Sequence, residues 1–85
     1  MRNIKEESSS MIPLTQATPG GEYVVFKIKG KMEERMKMEA EGLSSGVKLK
    51  YITTVDRFAL CQIGDRRLTV SRESARNVYV TEAGL

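Results

Sequence analysis

The chain has no histidine, no tryptophan and only one cysteine among its 85 residues. Without histidine, proton transfer near neutral pH would fall to carboxylates and lysines, and these sit in charge-rich stretches expected to be solvated. The same scarcities remove the Cys/His ligand sets of zinc and iron sites, and one thiol cannot form an internal disulfide. Asp56 and Asp65 lack the spacing of a calcium loop. The expectation is a non-enzymatic chain with no catalytic residue, no cofactor and no metal site. Long apolar runs are missing too: Tyr23 to Phe26 is among the longest, whereas a membrane-spanning helix needs about 20 such residues. Residues 1–10 lack the apolar core and cleavage site of a secretory signal, so a cytoplasmic location is expected. Two Phe and three Tyr are a thin supply for stacking nucleic-acid bases.

What remains is ordinary for a folded domain, with 40% hydrophobic and 29% charged residues. The net charge of +3 is uneven. Residues 1–45 carry seven Lys/Arg against seven Asp/Glu, and residues 46–85 carry seven against four. The positive excess therefore lies wholly in the second half, where it fits either solvated strand edges or a patch for phosphates or an acidic surface.

Residues 1–11 are polar, serine-rich and aperiodic, and read as a flexible extension before a single domain over 12–82, with 83–85 a short tail. Thr18-Pro19-Gly20-Gly21 has turn chemistry. It leads into a strand over Glu22–Lys29, in which Val24, Phe26 and Ile28 alternate with Val25, Lys27 and Lys29. Lys31–Glu41 contains only Lys, Met, Glu, Arg and Ala, all strong helix formers, and predicts a helix stopped by Gly42 in a left-handed conformation. Met32, Met36, Ala40 and Leu43 recur on one face and are expected in the core. Met38 lies off that stripe and is assigned to a contact surface for a partner.

Val47–Tyr51 and Phe58–Ile63 read as a hairpin joined by Thr53–Arg57, and Gly64-Asp65 turns the chain into Arg66–Val70 with Leu68 and Val70 inward. Cys61, in step with Ala59 and Ile63, is expected to be a buried small hydrophobe rather than a reactive thiol. Ser71 is a suitable N-cap for one helical turn over Arg72–Ala75, and Val78-Tyr79-Val80 closes the sheet. The sum is a mainly β fold: a partly open barrel of about five strands, with one α-helix and a short helical turn.

In order and spacing, Leu14-Thr15, Gly21-Glu22, the stretch from Lys37 to Leu43 leading to Gly46, and Leu68-Thr69-Val70-Ser71-Arg72 with Ala75 and Val78-Tyr79-Val80 resemble the FeoA family. The resemblance covers roughly Met11 to Thr81. It implies an SH3-like barrel that serves bacterial ferrous iron uptake as a cytosolic accessory of FeoB, a membrane transporter with a cytoplasmic GTPase domain. The same domain type ends certain metal-dependent repressors, but this chain has no DNA-binding helical domain and no metal-sensing histidine. Gly21, Gly42, Gly46 and Ala75 fall at structural positions of the pattern. Two residues depart from it: Glu41 stands where the family usually has an apolar residue, and Ser45 where it usually has proline. A buried unpaired carboxylate is costly, so Glu41 is expected to face solvent or Lys37.

The partner surface is assigned to the helix and the neighbouring basic loop, through Lys31, Arg35, Met38, Arg66 and Arg67, with Arg72 added. The alternative is a small basic barrel that binds RNA or DNA through Lys48, Lys50, Arg57, Arg66, Arg67 and Arg72.

Overall fold

Period-two alternation and glycine turns lay out one antiparallel sheet in the computed structural model, which describes residues 11–83. The strands are β1 (Ile12–Pro13), β2 (Glu22–Ile28), β3 (Lys48–Val55), β4 (Phe58–Ile63), β5 (Arg66–Ser71) and β6 (Val78–Glu82). They are ordered β1-β6-β2-β3-β4-β5. A 3-10 turn covers Leu14–Gln16, helix α1 covers Met32–Ala40 and helix α2 covers Arg72–Ala75. The expected extension and tail lie outside the described residues, apart from Met11 and Ala83; the Ala83 N–H donates to the carbonyl of Glu22 at 2.9 Å.

The barrel of about five strands expected from sequence has six, the additional one being the two-residue β1 on β6. The two ends of the sheet do not pair, but they share one core. Leu14, just after β1, and Val70, on β5, belong to the same buried cluster, and α2 touches the 3-10 turn. Leu14, Leu43 and Leu49 are fully or almost fully buried, each contributing roughly 1.5–3 kcal/mol through loss of apolar surface to water. Leu49 and Tyr51 on β3, Ala59 and Cys61 on β4, and Val78 and Val80 on β6 alternate inward as their spacing requires. Burial pushes the Cys61 thiol up from 9.0 to about 11, as expected for a sulfur surrounded by apolar groups.

Strand β2 and the turn after β3 depart from the expected pattern. In β2 the inward residues are Tyr23 and Val25, while Phe26 is 54% exposed. Phe26 alternates outward beside Val25, and a bulge then breaks the period of two: Val25 pairs with Val80 and Lys27 with Tyr79, which leaves Phe26 as an extra residue and returns Ile28 to the core side. Inward placement of Tyr23 also lets its phenol oxygen accept the Thr18 N–H at 2.8 Å. The hairpin turn expected over Thr53–Arg57 is tighter, because β3 continues through Val55 and only Asp56 and Arg57 turn the chain. Asp56 takes the positive φ of 56° that such a two-residue turn needs.

Candidate partner-binding surface

Helix α1 ends as its composition requires, but it docks through a different residue from the one its periodicity indicates. Gly42 adopts φ +106°. The Gly42 N–H donates to the Glu39 carbonyl at 3.0 Å and the Leu43 N–H to the Met38 carbonyl at 2.9 Å. This is a Schellman ending, which folds the residue after the glycine back over the last turn. Leu43 and Met38, five residues apart, are thereby both buried, at 0% and 5% exposure. The assignment of Met38 to a partner contact is therefore corrected: it is the anchor of the helix. The core stripe of Met32, Met36 and Ala40 is corrected too, since all three are exposed. The signal missed in the sequence was the apolar pair around Met38–Gly42–Leu43, which a Schellman ending brings together outside the helical period.

The basic loop reaches this corner. Arg66, on the inward-facing parity of β5 but at its rim, donates from Nη2 to the Glu41 carbonyl at 2.8 Å. A guanidinium there satisfies a free carbonyl of the last turn and meets the negative end of the helix dipole. A Cβ added to Gly42 would stand 2.8 Å from the same Nη2, so glycine is needed both for φ and for the approach of Arg66. Glu41 itself is exposed, as expected for an unburied carboxylate. Among the other pattern residues, a Cβ on Gly21 would meet the Tyr23 ring at 3.0 Å. Gly46 donates its N–H to the Val25 carbonyl at 2.8 Å, and Ala75 is fully buried.

The remaining candidate cations do not form one cluster. Lys31 precedes the first turn of α1, with no side-chain cap bond, and Arg35 follows one turn later. Arg66 reaches the other end of α1, roughly 13 Å away for nine residues at 1.5 Å each, while Arg67 beside it pairs across to Gln62. Arg72 lies elsewhere, around a hollow with Asp56, Arg57 and Phe58. The six cations of the nucleic-acid reading split likewise. Lys50 and Arg67 form a cross-strand row with Gln62 beside Glu22, Lys48 pairs with Val24 further along β3, Arg66 is turned to the helix, and Arg57 and Arg72 meet at a separate hollow. That row contains no aromatic side chain, so the arrangement lacks a stacking platform.

Two grooves flank α1. One, of about 390 Å³, runs toward β5 and α2 and is lined by Glu34, Lys37, Glu41, Glu73, Ser74 and Asn77 above Met38 and Val70. The other, of about 360 Å³, runs toward β2 and is lined by Lys27, Ile28, Met32, Arg35, Met36, Glu39 and Ser45. Ser45 donates its hydroxyl to the Phe26 carbonyl at 2.8 Å, a bond that proline at this position could not make. Lys29 stands over the Tyr79 ring, 4.9 Å from its centroid. Among the described residues no three or more His, Cys, Asp or Glu side chains converge as a metal cluster, and no helix is long and apolar enough to cross a membrane.

The sheet order, the helix between β2 and β3 and the single core define a small SH3-like barrel domain. Solved structures share it. An iron uptake regulatory protein (FeoA) matches with TM-score 0.78 at 23% identity, over 86% of this chain and 99% of that one. A FeoA protein from Chlorobium tepidum matches with TM-score 0.77 at 21% identity, over 86% and 71%. ScaR with bound Cd2+ matches with TM-score 0.77 at 15% identity, this chain corresponding to 35% of its length. A search of curated proteins found no significant match. The FeoA domain model matches residues 12–82, and the chain belongs to the FeoA family. Membership makes it a small accessory protein of ferrous iron transport.

Proposed function

We propose that this protein acts in the cytoplasm on a FeoB-type iron transporter, by protein contact and without chemistry of its own. The observation that carries the reading is the family match across 12–82, which spans nearly every described residue. The way α1 sits supports it. Only Met38 of its nine residues is buried, so most of the helix is surface held in a fixed place by Leu43, Gly42 and Arg66. A short helix kept so exposed gives little core in return for its ordering, which fits an element retained for recognition.

Titration against the cytoplasmic domain of the cognate transporter, and against the full-length transporter in nanodiscs, tests this with and without GTP at about 0.15 M salt, where loose charge attraction is screened. Saturable binding is expected. Absence of binding to both forms would overturn the reading.

A further inference from the structure

Three of the five large apolar side chains that the described domain leaves exposed belong to one neighbourhood: Phe26 at 54%, Met32 at 64% and Met36 at 59%. Met32 and Met36, one helical turn apart, line the groove between α1 and β2. Phe26 precedes the groove residue Lys27 in the chain, and its carbonyl is tied to the groove residue Ser45. It alternates outward beside the buried Val25, and the bulge in β2 leaves it without a partner on β6. Cations outnumber carboxylates along the groove, with Lys27 and Arg35 against Glu39.

We propose that this groove seats a short amphipathic segment of a partner protein. The segment would place two or three large apolar side chains against Met32, Met36 and Phe26, and set Asp or Glu against Lys27 and Arg35. Methionine suits such a seat, because its unbranched, polarizable side chain adapts to the shape it meets. Exposed apolar clusters rimmed by charge are the ordinary mark of a protein contact site. A flat membrane surface fits less well, since the site is concave. The inference rests on the FeoB reading and names the face and the partner chemistry that it requires.

The test measures binding of the full-length cognate transporter in nanodiscs to the wild type, M32A/M36A, K27E/R35E and a control, K48E/K50E, on the outer face of β3. Met32, Met36, Lys27 and Arg35 are all exposed, so the variants should fold, and amide spectra check that they do. M32A/M36A and K27E/R35E are each expected to weaken binding about tenfold or more, the second also flattening its salt dependence, while the control stays within about twofold. Groove variants that bind like the wild type, with the control weakened, would overturn the inference and leave the FeoB reading standing. No saturable binding by the wild type would overturn both. Equal binding to empty phosphatidylglycerol nanodiscs, lost in the groove variants, would make lipid the occupant and overturn the proposal. A wild-type dimer that M32A/M36A abolishes would make it a second copy of the chain, with the same consequence.

Discussion

The two flanks of α1 use similar residues to opposite ends. Toward β5 the helix turns Glu34, Lys37 and Glu41 to a polar groove, with Met38 sealed beneath as an anchor. Toward β2 it turns Met32 and Met36 outward beside Lys27 and Arg35, and the sheet adds an exposed Phe26. Two residues along a helix rotate a side chain by about 200°. Met36 and Met38 therefore differ in role because of where they face, with no difference in chemistry between them.

The sharpest way to break that contrast is to truncate both. Met38→Ala or Leu43→Ala should lower unfolding free energy in urea by about 2–5 kcal/mol, as buried large-to-small changes do. Met36→Ala should stay within about 0.5 kcal/mol. Equal losses would show that both flanks pack.

The corner joining the flanks is tested next. Gly42→Ala forces a side chain into φ +106° and against Arg66, and should cost about 1–3 kcal/mol. Part of that cost comes from crowding, so a double-mutant cycle with Arg66→Ala should be non-additive. Strict additivity would mean that the guanidinium moves aside freely, and that Arg66 does not brace the helix.

Beneath both flanks, Cys61 makes the core sensitive to alkali. Its folded-state pKa is raised from 9.0 to about 11, so the unfolded chain releases the proton first. Stability from this group is intact below the ordinary thiol range and falls as pH rises from about 9 toward about 11. Between pH 8 and pH 10 the stability gap between the wild type and Cys61→Ala should narrow by about 1 kcal/mol. A gap independent of pH would contradict the sealed thiol.

The smallest effects compare two serines. Ser71 accepts the Ser74 N–H at 3.2 Å as the N-cap of α2, and Ser71→Ala should cost about 1 kcal/mol. Ser45→Ala removes an exposed bond and should cost about 0.5 kcal/mol or less. It should nonetheless move the amide resonances of Phe26 and Lys27; if they stay in place, the bulge does not depend on Ser45.

Much of the fold was legible because it follows from neighbours in the chain. Val47–Tyr51 and Phe58–Ile63 alternate, Ser71 caps, Gly42 stops a run of helix formers, and Cys61 keeps step with Ala59, all features of local geometry. The break in the alternation of β2 was not legible, because the bulge at Phe26 depends on pairing with β6, some 50 residues away. The candidate surface was legible only in part. Lys31 and Arg35 stand on the exposed helix and Arg66 reaches its end, but Met38 went to the core and Arg72 to a different side.

By itself, then, the sequence determined that this is one small β-rich domain of the FeoA family, with its turns, its helix and its buried thiol. Propensity, alternation and capping each act over a few residues and are written in the order of the chain. Only the tertiary structure decided which methionine packs and which two face outward. A 3.6-residue period says which residues share a face, but the choice of the buried face belongs to the Schellman turn that lays Leu43 on Met38 and to the strands that receive the pair.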